Sequence, residues 1–382
     1  MIIRNGLIHD ALQPTPYVAD IEIKEGKIVA IGKNLPKGEE EIDATGLTIY
    51  PGFVEAHGHT GLEGYGIGFE GMDINEMGDV ISPHLRAIDG FQPFDKALEE
   101  GRNAGVTTLC VGPGSANVLG GTFMVIKPVG KKVDDMVILK EAAMKCAFGE
   151  NPKRCYKEKG NSTRMTTAAH LREMLFKAKE YNEKYEAAKE DPSKKPSFDM
   201  KLEALLPVIR GEMPLKAHAH QANDLFTAIR IAKEFQIKLT LEHCTEGHLV
   251  AEELAKENIP MAVGPTLTHA GKYELRNKTW CTPDVLTKAG AKVSIITDAP
   301  VIPQQYLPLC AGLAVKSGMD SFEALKAITI HPAQHIGVAQ LVGSLEVGKD
   351  ADIVIADGCV FSIETTVKKV LINGEVVFEK EG

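Results

Sequence analysis

The sequence predicts an α/β protein: a (β/α)8 barrel over residues 51–339, with residues 1–50 and 340–382 combining into one β-sandwich. Three observations carry this. Within 51–339, short β-branched runs alternate with helical stretches, the pattern of parallel strands joined by crossover helices. Eight such runs can be marked out, the number that closes a barrel. The two ends of the chain instead read as short strands and tight turns. Either end alone would leave one apolar sheet face in water, so the economical solution is that they fold together.

The N-terminal strands are "MIIRNGLIHD", the alternating "ADIEIKEGKIVAIG" with its glycine-containing turn, and "EEIDATGLTIYPGF". The barrel strands are "LTIYPGFVEAH", "GVTTLCVG", "FMVIKPVG", "AAMKCAFG", "MPLKAHAH", "KLTLEHC", "PMAVGP" and "KVSIITD". Between the fourth and fifth, residues 168–211 return an apolar residue every three or four positions amid Lys and Glu, which predicts helices around a solvated, proline-broken loop. The C-terminal strands are "GSLEVGKDADIVIADG" and "VKKVLINGEVVFEK", the latter with an Asn373-Gly374 pair suited to a type I′ hairpin.

Composition narrows the function. With 382 residues, 44% hydrophobic and 25% charged, the chain has the make-up of an ordinary globular protein. A net charge of −9 argues against a nucleic-acid or anionic-membrane partner, since such binders carry excess Lys and Arg. A small-molecule substrate is expected, and a homo-oligomer only by analogy with other barrels of this kind. No run approaches the ~20 apolar residues of a membrane helix, and the first residues lack a signal-peptide pattern, so a cytoplasmic location is expected. The seven cysteines show no CxxC spacing and are expected to be reduced.

In a barrel the catalytic groups stand at the C-terminal ends of the strands. Polar residues collect there: His57-Gly58-His59 at the first, Gly149-Glu150-Asn151 at the fourth, His218-Ala219-His220 at the fifth, His243 at the sixth and Thr297-Asp298 at the eighth. Two histidines at i and i+2 on a strand point the same way, so both can hold one ion. Neutral imidazole and carboxylate are the ligand set of a catalytic divalent metal such as Zn²⁺, and one or two ions are expected. A single buried histidine is more often satisfied by backbone hydrogen bonds. Five strand ends together have no such explanation.

The combination of "PGFVEAHGH", "AHAH", "LEHC", "IITDAP" and "HPAQHIGVAQLVGSLEVGKDADIVIAD" resembles the amidohydrolase superfamily, in the branch related to imidazolonepropionases and metal-dependent prolidases. The resemblance covers essentially the whole chain. It implies a distorted TIM barrel with the composite sandwich, and hydrolysis of C–N bonds in amides, cyclic ureas or amidines. It makes His57 and His59 ligands of the more buried metal, His218 and His243 ligands from the fifth and sixth strands, and Asp298 the carboxylate on the eighth. His220 is then a support for His218 or a substrate contact. Thr329, His331 and Pro332 fall in the last barrel helix, where His331 and His335 are structural. Many members place at the fourth strand a lysine that becomes carboxylated and bridges two metals. Here the resemblance points to Glu150 as the bridging carboxylate, or a cap of the turn that follows, with Lys127 and Lys153 as lesser candidates. Imidazolonepropionases use one metal, so the count stays open.

Asp298, a ligand with a second oxygen free, can take a proton from water and deliver it to the leaving nitrogen, serving as general base and acid. Substrate contacts are expected after the strands. Arg86, beside His84 and Asp89, could pair with a substrate carboxylate or start a helix on the surface. Tyr156 could wall the site, and His269, Lys272 and Arg276 follow the seventh strand near the same mouth. Glycine-rich "VGPGSANVLGG" lacks the GK[ST] ending of a phosphate loop. Two rival readings remain. A deaminase would use a glutamate and histidine beyond the sixth strand, where Glu246 and His248 stand and could equally be capping residues. A non-catalytic scaffold would have lost ligands, whereas here each expected position is filled.

Overall fold

The computed structural model describes residues 1–66 and 68–380. The chain opens with β1 (Ile2–Ile8), β2 (Tyr17–Lys24), β3 (Lys27–Gly32), β4 (Glu41–Asp43) and β5 (Thr48–Pro51). Glu25 and Gly26, between β2 and β3, both have positive φ (50° and 74°), as a type I′ hairpin needs. The run expected as one strand, "LTIYPGFVEAH", is divided at Gly52. There the chain passes from this sheet into the barrel, so close to Thr107 that a Cβ would lie 2.0 Å from its Oγ1.

The barrel strands follow: β6 (Phe53–Gly58), β7 (Val106–Val111), β8 (Leu119–Ile126), β9 (Val137–Ala147), β10 (Leu215–Ala219), β11 (Leu239–His243), β12 (Met261–Val263) and β13 (Val293–Ile295). Their spatial order is their chain order. One expectation fails: β8 pairs antiparallel with both β7 and β9, while the other pairs are parallel. The reason is the length of the connections. Residues 112–118 and 127–136 are too few for the crossover of a dozen or more residues that a parallel pair requires.

Between β13 and β6 the barrel is closed by the segment entering the last barrel helix, Ile330–His335. Ile295 N donates to Ala327 O and Val54 N to Ile328 O, both at 2.8 Å. Glu55, fully buried at this seam, accepts from His57 N, Thr297 N and Thr297 Oγ1 at 3.2, 3.0 and 2.5 Å. Burial pushes its carboxyl up to about 7 despite these hydrogen bonds.

The chain ends with β14 (Ile353–Ala356), β15 (Val367–Ile372) and β16 (Glu375–Glu379), the last two joined through Asn373 and Gly374 with φ of 50° and 76°, the expected type I′ turn. Both ends of the chain share one sheet, ordered β16-β15-β14-β5-β1-β2-β3 with β4 beside β1. That sheet bends over a core of Ile3, Ile21, Ile28, Ile49, Ile353 and Ile355 until the β2–β3 hairpin meets the approach to β14, where Ile28 N donates to Lys349 O at 2.9 Å and Ala351 N to Gly26 O at 2.8 Å. The layers of the sandwich are thus halves of a single sheet. Among the described residues no helix is long and apolar enough to cross a membrane.

The reversed strand corrects the reading of Lys127 as a bridging candidate. Because β8 runs antiparallel, the residue following it lies against the terminal sheet, away from the mouth. Its Nζ meets Asp350 Oδ2 at 2.7 Å, Asp352 Oδ1 at 2.9 Å and Asn373 Oδ1 at 2.5 Å, tying barrel to sheet. Lys127→Met would leave the buried Asp352 carboxylate without its cation, Asp350 keeping Lys27, and is expected to cost about 3–5 kcal/mol of stability, measured by denaturant unfolding.

Candidate metal centre

Among the described residues two groups of side chains bring ligand atoms within 4.8 Å of one another: His57, His59 and Asp298, and His218, His220 and His243. They abut, the His57 and His243 ring centroids lying 5.1 Å apart and those of His218 and His243 4.4 Å. The strand parity predicted for His57/His59 and His218/His220 puts each pair on one face. His243 and Asp298 reach the same place otherwise, through left-handed backbone (φ of 75° and 54°). Non-glycine residues are held there only where surrounding structure compels it, often at functional sites.

Four of the five imidazoles are oriented from behind. His57 Nδ1 lies 2.9 Å from Glu242 Oε2, His59 Nδ1 2.7 Å from Gly112 O, His243 Nδ1 2.8 Å from Gly264 O, and His220 Nδ1 2.7 Å from Thr245 Oγ1. A carbonyl or carboxylate only accepts, so Nδ1 of His57, His59 and His243 carries the proton and Nε2 presents a lone pair inward. Those lone pairs meet another acceptor: Asp298 Oδ1 stands 3.2 Å from His59 Nε2 and 3.7 Å from His57 Nε2.

Burial, reinforced by neighbouring positive charge, holds His57, His218 and His220 well below the usual imidazole range, and His243 is brought down to about 4, burial again leading. For Asp298, burial acts to raise the carboxyl, but the imidazoles of His243, His59 and His57 outweigh it and keep it well below the usual carboxylate range. His57, His218, His220 and His243 are therefore neutral imidazoles near a carboxylate, the forms in which these groups bind a metal.

The donors fit a divalent cation. His218 Nε2, His243 Nε2 and Asp298 Oδ1 are buried with no hydrogen-bond partner. A buried polar atom left so costs about 1–3 kcal/mol, and several converging on one point are explained by an ion that satisfies them together.

The other expected residues fall elsewhere. Glu150 is half-buried at the start of the helix Glu150–Cys155 and belongs to neither group, and its backbone N donates to Glu274 Oε2 at 2.8 Å. Lys153 is half-buried in the same helix. Tyr156 is buried in the core, its hydroxyl donating to Glu76 O. Arg86 lies 3.4 Å from Glu141 and lines a separate 290 Å³ cavity with His84 and Phe198. Glu246 accepts from Ala222 N and Asn277 Nδ2, and His248 Nδ1 bonds Thr282 Oγ1, so both are engaged in packing the loops. His331 Nδ1 bonds Val293 O at 3.1 Å.

Three site residues escaped the sequence reading. Lys145, inside β9, is fully buried with Nζ 3.1 Å from His57 Nε2, and burial brings its amine down to about 8. Glu274 has Oε1 at 3.7 Å from both His218 Nε2 and His220 Nε2 and at 2.6 Å from Lys272 Nζ. Glu242 stands behind His57. The signal for Lys145 and Glu242 was present, since Lys145 interrupts the apolar run from Ala142 to Phe148 and Glu242 directly precedes the candidate ligand His243. Glu274 lies in a single 3-10 turn, Tyr273–Leu275, and gave none.

The sequence matches the amidohydrolase family over residues 48–377. It is 27% identical to amidohydrolase tasK of Hapsidospora irregularis over 95% of this chain, and spans 40% of the length of that relative. Among solved structures, an amidohydrolase of Thermotoga maritima MSB8 is 38% identical and superposes with a TM-score of 0.96, covering 99% of this chain and 100% of its own. A prolidase complexed with N-methylphosphonate-L-proline shares the fold at 15% identity and a TM-score of 0.62, covering 99% of each chain.

Proposed function

The chain belongs to the amidohydrolase family, metal-dependent hydrolases of carbon–nitrogen bonds, and on that premise we propose that it cleaves an amide, cyclic amide or peptide-like bond in a small molecule. The observation that carries this is the convergence of unprotonated imidazole nitrogens and the Asp298 carboxylate on one point at the barrel mouth. His57, His59 and Asp298 would hold one zinc ion, and His218 and His243 a second. A bound divalent ion supplies Lewis acidity, drawing the pKa of a water from about 15.7 towards ~7 and polarising a carbonyl.

The protein's own residues do the rest. Asp298 accepts the proton released when water attacks and passes it to the leaving nitrogen, which must be protonated to depart as an amine. Lys145 takes the place of the lysine that many relatives carboxylate. Its amine, at about 8, has an accessible neutral form that could add to carbon dioxide, forming an N–C bond and releasing one proton, and the carbamate would then offer oxygen donors to bound metal. His220, held by Thr245, and Lys272, on the loop after β12, are the polar groups left to contact substrate.

The test is a screen of dipeptides, N-acyl amino acids, cyclic amides and aminated heterocycles against zinc-loaded protein. One new carboxylate per amine is expected, lost on chelation and restored by zinc. Release of ammonia from a heterocycle with no new carboxylate would replace this reading with deamination.

A further inference from the structure

Directly behind His57 the barrel interior holds charge where side chains of this fold are ordinarily apolar. Glu242, Lys216 and Lys145 all lie on strand segments buried on both faces. An isolated carboxylate moved into such a place loses several kcal/mol of hydration, and a well-packed apolar side chain would fill the space without that loss. A charge retained there needs a use.

Resting on the reading that His57 holds a metal, we propose that Glu242 is a positioning residue whose carboxylate fixes the tautomer and orientation of His57. A carboxylate offers about four acceptor positions, and four donors converge on this one. Oε2 lies 2.9 Å from His57 Nδ1 and 2.9 Å from Lys216 Nζ, while Oε1 lies 2.8 Å from His335 Nε2 and 2.7 Å from Thr240 Oγ1. No acceptor position is left over. Lys216 balances the charge, and His335 and Thr240 fix the plane of the carboxylate. His57 is thereby committed to a proton on Nδ1.

The far side of the ring agrees. Nε2 faces Lys145 Nζ at 3.1 Å, which donates when charged, and Asp298 Oδ1 at 3.7 Å, which accepts. A proton on Nε2 would leave a buried Nδ1 lone pair pointing at the Glu242 carboxylate. The network thus selects the tautomer whose lone pair is offered to a metal. His335 accordingly does more than hold up its helix: it steadies the carboxylate that steadies His57.

Glu242→Gln keeps the volume but leaves one acceptor oxygen for four donors. The competing amide N–H groups remove the preference for Nδ1–H. Zinc competition against a chelator is expected to show 10- to 100-fold weaker binding, the usual loss when the partner of a ligating histidine is removed. Nitrogen NMR of His57 in the zinc-free protein should pass from one Nδ1–H form to a mixture. Since Glu242→Gln strands the Lys216 ammonium, Glu242→Gln/Lys216→Met is the companion variant for the case where the single one does not fold, with the same losses expected. His335→Gln, whose amide can still donate to Oε1, should stay within about threefold of wild type. Folded Glu242 variants that bind zinc within twofold of wild type, or that keep a pure Nδ1–H tautomer, overturn the proposal. Wild-type protein that binds no zinc, yet whose His57 loses its single tautomer in the variant, would sink the metal reading and leave the positioning role standing.

Discussion

Replacing Asp298 by asparagine is expected to leave the metal content near that of wild type while lowering kcat by roughly 10² to 10⁴, the range for a missing general acid-base group. Asparagine keeps the size of the side chain and one oxygen within reach of His59 and His57, where Oδ1 now stands at 3.2 and 3.7 Å. It loses the basic lone pair. KM should change little, because binding of the substrate does not need the proton's acceptor. The pH dependence follows from the same geometry. Asp298 is held well below the usual carboxylate range and stays a base on acidification, while His243 remains neutral until pH nears about 4. Loss of activity on the acid side should therefore report one macroscopic ionisation of the site as a whole, and protons should displace the metal only as pH approaches about 4. Retention of more than about a tenth of wild-type activity would move the proton to another residue, His220 first.

The sequence made legible whatever followed from period and spacing. Paired histidines at i and i+2 and an Asn-Gly turn each have one local meaning, and each stands where that meaning puts it. What depended on strand direction was lost. "FMVIK" looks like any barrel strand, and only the short connections on either side reveal that it runs backwards and carries Lys127 to the terminal sheet. Lys145 was passed over for Glu150 because the end of a strand was searched and its interior was not, although a lysine flanked by Met144 and Cys146 on a buried strand is the stronger anomaly. His243 reaches the site by a positive φ that no periodicity encodes, and Glu242, its neighbour, takes the inward direction that simple alternation would deny to one of the two. Glu274 comes from a single 3-10 turn, Tyr273–Leu275, too short to leave a period in the sequence.

Truncating both His57 and His59 to alanine is expected to have the largest effect on the metal. Three side chains form the first group, and the double variant leaves Asp298 as its remaining member. A four-ligand zinc site is typically worth about 10–16 kcal/mol, so removing two of its imidazoles should weaken that position by roughly 10⁴ or more. Two further consequences separate this from general damage. The second group keeps His218, His220 and His243, with His243 still held by Gly264 O and His220 by Thr245, so the metal count should fall by one and not to zero if two ions are bound. Lys145, which now faces His57 Nε2 at 3.1 Å, would lose that acceptor. Lys145→Met tests the bridge independently: it should lower the count by about one with every histidine intact, and added bicarbonate should not restore it, whereas Glu150→Gln should change nothing, since Glu150 stands outside both groups. Elemental analysis of the three variants beside wild type reads all of this at once. Full metal content after loss of both histidines would mean that the ion is held elsewhere, and the assignment of the barrel mouth as the metal centre would fall with it.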